Sequence, residues 1–381
     1  MGQPVELGGE FIDENHRQVQ QLVRELDLSL VPVETTGRMG FFFGGQTYTA
    51  AQVTEQMRPI LERVRRDYQQ LLERVADLAQ DETARGWDRR SITDYFDHLG
   101  LGGWVRRYLE IQCQTEFGLD PSEQSALNFI FWLPEVGAEP TAGGTRYRIA
   151  GGNSGLVNRL AAKLAGRIDL NWPVESLRPA GNGYRLSGGG KVLLADAVVL
   201  AVPLTRLRQM ELAIALSPRQ QRAIQTWGYG TNGKVVLQTG QAFWRAHGYS
   251  GETITDGGYQ YSWPHGTRGL TFFLGGQSGL NLPTGQASLA VMQRYMGSTA
   301  PMTPITAETR LAWGQEPWAL GSYACYQPGQ WTTLAGALTP PVGRVWLAGE
   351  HTGGDWQGYM EGAVRSGRRA AQGILALWHN R

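Results

Sequence analysis

"VWLAGEHTGGDWQGYMEGAVRSGRRAAQGIL", Val345 to Leu375, reads as strand, glycine-rich turn and helix. Val345 to Ala348 is an apolar run of strand length, and Gly349 closes it. From Met360 to Leu377 apolar residues recur at helical spacing, with Ala363, Ala370 and Ala371 small enough for close packing. Between strand and helix lie Gly353, Gly354 and Gly358, together with Glu350, His351, Asp355 and Trp356. Backbone amides at the start of a helix favour an anion or a polarised carbonyl, so the turn is a candidate ligand cradle. A plain strand-to-helix connection fits the same pattern.

Working outward, the 381-residue chain is long enough for two domains. A net charge of +1 without a block of like charge argues against nucleic acid or an anionic membrane as the main partner. Cys113 and Cys325 stand in no metal or redox spacing; each suits a buried thiol, a disulfide is left open without support, and no metal site is expected. No apolar run approaches ~18 residues and no signal-peptide pattern is present, so neither a membrane anchor nor export is expected and a cytoplasmic location is. The 51 glycines and 13 tryptophans suggest close backbone approach to a ligand and an apolar pocket.

The first third is mostly helical in pattern. Val19, Leu22, Val23 and Leu26 mark a short amphipathic helix from His16 to Leu28. Ala50 to Gln80 is a longer one, with Pro59 as a break or kink and a core stripe of Leu61, Val64, Tyr68, Leu71, Leu72 and Val75. "WVRRYLEIQCQTEFG" continues the helical texture, and Ser122 opens another helix. After Tyr147 the pattern becomes helix, strand, hairpin and strand. Ala197 to Val202 has the unbroken apolar character of a strand buried on both faces. "KVVLQ" and "LTFFLGG" read as further strands, and in the first Lys234, Val236 and Gln238 share a face. The alternating textures suggest two interleaved domains.

The C-terminal string, "WALGSY" (Trp318 to Tyr323), "KVVLQTGQAFW" (Lys234 to Trp244), "ADAVVLAVPLTRL" (Ala195 to Leu207), "GGNSGLVNRLAAKLAGRIDLNWPVESL" and "ELGGEFID" with His16 together resemble the flavin-containing amine oxidases, the monoamine and polyamine oxidase family. The matches occur in family order and cover nearly the whole chain, the helical third least distinctively. The resemblance implies a mixed α/β fold of two domains. An FAD-binding, Rossmann-like domain is expected from residues 1–14, 146–208 and 336–381. A substrate domain of helices and a mixed sheet is expected from 15–145 and 209–335.

One family element has no counterpart. Members open with strand, G-x-G-x-x-G, helix, strand and an acidic residue, a unit of ~30 residues or more that grips pyrophosphate and ribose. Here the chain begins at "MGQPVELGGEFID", and no such fingerprint followed by an acidic residue stands elsewhere in suitable context. The FAD-binding domain is therefore expected to be incomplete. Three readings stay open: a truncated gene model, a two-polypeptide enzyme whose first piece is a separate chain, or a decayed remnant.

The resemblance also assigns residues. Tyr323 and Tyr359 match the family's aromatic cage before the flavin, where the neutral amine is oriented. Lys234 matches the lysine that holds a water at flavin N5 and assists reaction with oxygen; on pattern alone it could equally line a solvated strand face. Gly8 and Gly9 match a backbone pair beside the flavin, Val174 the adenine side, and Gly349, Glu350, Gly358, Tyr359 and Met360 the segment against the flavin and its ribityl chain. Ser322 stands where some relatives carry a flavin-tethering cysteine, so the FAD is expected to be non-covalent. His351 suggests a surface or supporting role, since flavin amine oxidation needs no base.

The implied reaction is oxidation of an amine C–N bond to an imine, then aldehyde and ammonia or a shorter amine, with O2 reduced to H2O2. "GGEFID" has no arginine before Arg17, which points to a simple amine rather than an amino acid. Sequence does not place Glu116 and Glu135, whose position bears on monoamine against polyamine preference. The alternatives are a desaturase or protoporphyrinogen-type oxidase, or an inactive remnant or subunit.

Overall fold

Contacts divide the chain into two units, each gathered from three segments. The computed structural model describes residues 4–33, 36–73, 78–139, 146–297 and 302–379. The first unit comprises the described residues of Met1–Leu7, Val33–Thr145 and Gly228–Thr333; the second those of Gly8–Pro32, Arg146–Trp227 and Leu334–Arg381. Both mix helices with sheets, in agreement with the sequence.

A seven-stranded sheet organises the first unit. Its order is Ile305–Ala312, Gly233–Thr239, Gly269–Leu274, Tyr261–His265, Tyr249–Thr255, Arg38–Phe43, Gln46–Tyr48. All neighbours run antiparallel except Tyr249–Thr255 beside Arg38–Phe43. Lys234 stands opposite Phe273, Phe273 opposite Tyr261, Tyr261 opposite Ile254, and Ile254 opposite Phe41. Directly paired side chains project the same way, so these five share one face. The opposite face carries Val235, Leu237, Leu270, Phe272 and Leu274, which form a core with Leu289 and Met292 of the helix Gly285–Tyr295. That face is apolar at its centre and carries Arg310, Glu308, Ser262 and Thr253 on neighbouring strands, while the other face carries Lys234 among aromatic rings.

Helices of the same unit build a second core around Phe41, Phe43 and Ile254, with Val53, Met57 and Val64 from Ala50–Leu72, Leu109 from Gly103–Phe117 and Phe129 from Ala126–Val136. Thr49 starts the long helix with a capping box to Gln52. Pro59 does not break it. The buried stripe Val53, Met57, Ile60, Leu61 and Val64 holds the helix through the lost hydrogen bond. The helix ends at Leu72 rather than running to Gln80, and the expected core position Val75 lies outside the described residues. Ser122 falls in a 3-10 turn, Pro121–Glu123, and the helix that follows is capped by Ser125 instead.

The second unit holds three small sheets. Ile12–Asp13, Arg146–Ile149 and Leu30–Pro32 pair antiparallel; Glu211–Leu212, Ser176–Ala180, Gly183–Gly188 and Lys191–Ala195 form a four-stranded sheet; Val345–Leu347 pairs parallel with Val198–Leu200. The C-terminal helix Met360–His379 lies on Trp346 through Ala370 and Gly373, where a Cβ on Gly373 would stand 2.4 Å from the indole nitrogen. Val198 and Leu200 are buried as expected, but Val199 is exposed. It shares a face with Trp346 at the margin of the helix, so this strand is not covered on both sides.

The units divide the chain differently from the sequence expectation. Residues 15–32 and 209–227 pack in the second unit, and Glu6 and Leu7 in the first. Glu361 of the C-terminal helix accepts from the backbone of Gln18 and Val19, drawing Arg17–Glu25 to it. Gln220 donates to Pro340 O and Arg219 to Ala335 O. Glu6 O and Leu7 O accept from Lys234 and Trp313. Among the described residues no helix is long and apolar enough to cross a membrane.

Candidate active site

Lys234 is 4% exposed, which excludes a solvated strand face. Its Nζ donates to Glu6 O at 3.0 Å and lies 5.0 Å above the Trp263 ring and 6.0 Å from that of Phe273. Aromatic faces attract an ammonium most strongly where water is excluded. Trp263 in turn packs 5.3 Å from Tyr261, whose hydroxyl donates to Glu252 Oε1 at 2.5 Å. A cation and a carboxylate therefore share the sheet face opposite the apolar core, with aromatic rings between them.

Tyr323 belongs to the same unit. Its hydroxyl donates to Thr115 O at 2.8 Å, in the last turn of Gly103–Phe117. Its neighbour Ser322 donates to Asn232 Oδ1 at 2.6 Å, two residues before Lys234, so the segments bearing Tyr323 and Lys234 are stitched together. Gly228, Gly230 and Gly233 here have G-x-G-x-x-G spacing, but they precede a strand rather than follow one. A Cβ on Gly230 would stand 2.5 Å from Ser322 Oγ, and one on Gly228 2.6 Å from Cys325 O. These glycines serve chain crossing. The thiols of Cys113 and Cys325 are both buried, and burial pushes the Cys113 thiol up.

In the second unit the quoted turn is held from several sides. Ser366 Oγ lies 2.9 Å from both the nitrogen and the carbonyl oxygen of Gly349, whose φ of 138° suits glycine. Glu350 is half-buried rather than solvated, and its Oε2 accepts from Gly358 N at 2.8 Å. That bond fixes the residue before Tyr359. Met360 lies beside Gly9, and Asn153 Nδ2 donates to Gly9 O at 2.8 Å; Gly8 precedes it, half-buried. Gly8, Gly9, Gly349, Glu350, Gly358, Tyr359 and Met360 are thereby brought into one region. Val174 belongs to a different part of the unit, the segment entering Ser176–Ala180, where Pro173 O presses on Gly188. Tyr323 belongs to the first unit and Tyr359 to the second.

Sequence reasoning missed the support beneath the turn. His16 is 2% exposed, with its ring centroid 5.1 Å from Trp356 and 5.5 Å from Tyr359, both edge-to-face. Glu361, fully buried, accepts from Gln18 N, Val19 N and Arg365 Nε. His351 is buried, not on the surface, and burial lowers its pKa to about 4. Of the two carboxylates in doubt, Glu135 is exposed and accepts from Tyr68, and Glu116 is half-buried.

His351 Nε2, Arg344 Nη1 and Arg369 Nη2 are buried with no hydrogen-bond partner among the described residues. Buried polar nitrogens of this kind call for acceptors. The phosphate and carbonyl oxygens of a dinucleotide are acceptors of the kind such nitrogens take. No group of three or more His, Cys, Asp or Glu among the described residues is arranged for a metal ion.

Residues 1–375 match the family model of flavin containing amine oxidoreductases, and the chain belongs to that family. It is similar to a Mycobacterium tuberculosis protein provisionally named flavin-containing monoamine oxidase AofH, 27% identical over 99% of this chain and 87% of that one. The flavin-containing amine oxidase of Oncorhynchus mykiss is 24% identical over 97% of this chain and 76% of its own length. Among solved structures, the cyclohexylamine oxidase of Brevibacterium oxydans covers the fold with a TM-score of 0.85 at 23% identity, over 99% of this chain and 88% of that one. FAD is the cofactor of these homologues, and the chain is an oxidoreductase of their family.

Proposed function

We propose that the protein oxidises the C–N bond of a simple amine to an imine, which water converts to an aldehyde and ammonia or a shorter amine, while O2 is reduced to H2O2. A bound FAD would supply the two-electron chemistry that links amine oxidation to O2 reduction. Gly8, Gly9, Gly349, Glu350, Gly358 and Met360 would hold it on the ring and ribityl side and Val174 on the adenine side. Ser322 before Tyr323 leaves it non-covalent. Tyr323 and Tyr359 would offer ring faces to the amine, and an apolar surround favours the neutral, reactive form over the ammonium. Arg17, the first arginine after "GGEFID", is exposed at a helix start, which supports an amine without a carboxylate to pair.

The observation that carries this reading is Lys234, a buried lysine on the aromatic face of the sheet, held by Glu6 O and Trp263. A fixed positive charge stabilises negative charge developing on oxygen, an effect worth roughly 10²- to 10³-fold for one preorganised donor. Lys234→Met should slow reoxidation of the reduced protein by O2 about 10²-fold, with reduction by amine near the wild-type rate. Stopped-flow traces with normal reoxidation would remove Lys234 from the oxygen step.

A further inference from the structure

His16 is the residue immediately before the helix Arg17–Glu25, yet its side chain makes no capping bond there. Glu361 caps that helix in its place, through Gln18 N and Val19 N at 2.9 Å. The imidazole is thus released from the usual work of its position and is turned instead against Trp356 and Tyr359. Trp356 and Tyr359 themselves stand 6.1 Å apart at 84°, so the three rings brace one another edge to face. Tyr359 is 37% exposed.

The tautomer follows from the hydrogen bonds. His16 Nδ1 accepts from Asp13 N at 3.1 Å, while His16 N donates to Asp13 O at 3.0 Å. The neutral ring therefore carries its proton on Nε2, which lies 3.6 Å from Asp13 Oδ2. A second proton must go to Nδ1, where it would meet the Asp13 N–H head on. The ring cannot accept that proton and keep its place.

We infer that His16 is a positioning residue for Tyr359: its neutral imidazole fixes the Tyr359 ring, and protonation at Nδ1 dislodges both. The inference rests on the cage role proposed for Tyr359 only in its consequence for turnover. The charged groups acting on His16 are Asp13 on its own turn and Glu361 on the C-terminal helix; Arg146 acts on Asp13, and Arg365 pairs with Glu361 and lies over the Trp356 ring. Burial lowers the His16 pKa from 6.5, and Asp13 and Glu361 act against it. The neutral ring thus prevails at neutral pH, and its support is lost as pH falls below that value.

Fluorine NMR of the full chain with 3-fluorotyrosine tests this without reference to activity, the Tyr359 resonance being assigned by Tyr359→Phe. In the wild type that resonance should move as the pH falls, with a midpoint below 6.5. In His16→Gln, which can still accept the Asp13 N–H, the movement should vanish. In His16→Phe, which keeps a ring but cannot be protonated, the resonance should stay near its wild-type neutral position at all pH values. A Tyr359 resonance that is flat in the wild type, or that titrates unchanged in His16→Gln, overturns the inference. His16→Gln should also lower amine kcat/KM about tenfold, with His16→Phe restoring most of it. Loss of the NMR coupling with turnover untouched would instead overturn the cage role of Tyr359 and leave the ring contact standing.

Discussion

Tyr323 and Tyr359 are proposed for one task and are held in opposite ways. Tyr323 is fixed through its hydroxyl, which donates to the carbonyl of Thr115 on a helix of its own unit. Tyr359 is fixed through its ring, by His16 and Trp356, and through the turn that Glu350 clamps at Gly358. A hydrogen bond to backbone sets a direction with a single contact. A ring braced by other rings depends on everything that holds those rings, here Glu361, Asp13 and the helix Arg17–Glu25. Two matching motif positions can therefore carry very different sensitivities.

The largest test removes the brace. Glu361→Ala strips two backbone amides and Arg365 of a fully buried carboxylate, and should destabilise the second unit by about 3–5 kcal/mol in chemical denaturation. A loss within ~0.5 kcal/mol, the range of an ordinary surface change, would mean that the helix Arg17–Glu25 does not depend on it.

Acid should weaken the same unit. His351 has a folded pKa lowered to about 4 from 6.5, so its neutral form is favoured by folding. The unfolded chain binds the extra proton between these values. Stability is then fully present above about 6.5 and declines as pH falls toward about 4, by at most ~3 kcal/mol from this residue. Denaturation curves across that range should flatten in His351→Gln. An unchanged slope would show that His351 titrates equally in both states.

The two tyrosines themselves give the smallest effects and the sharpest contrast. Tyr323→Phe loses one hydrogen bond and should cost about 1 kcal/mol. Tyr359→Phe keeps the ring and should change stability by less than ~0.5 kcal/mol, as for an exposed position. Equal costs in urea titrations of the two variants would erase the distinction between hydroxyl and ring anchoring.

Much of this was legible in sequence where the signal is local. The strand, turn and helix from Val345 onward appear as Val345–Leu347 and Met360–His379. The alternation in "KVVLQ" correctly separates Lys234 from Val235, whose neighbours form opposite faces of the sheet. Alternation is the same for a wet face and a buried one, however, so the burial of Lys234 was not readable from it. Pro59 misled because a proline's local cost is outweighed here by a long apolar stripe. Residues 15–32 pack with the second unit for a different reason. The carboxylate that captures them, Glu361, lies 343 positions from Gln18, and nothing in a short window announces such a bond.

Amine oxidation itself is tested most directly by mixing the FAD-loaded protein anaerobically with a panel of primary amines, cyclohexylamine and putrescine among them. At least one should bleach the flavin's visible band, and admission of air should restore it with one H2O2 formed per flavin reoxidised. FAD that stays bound and oxidised before every amine, while a chemical reductant bleaches it normally, would contradict the assignment.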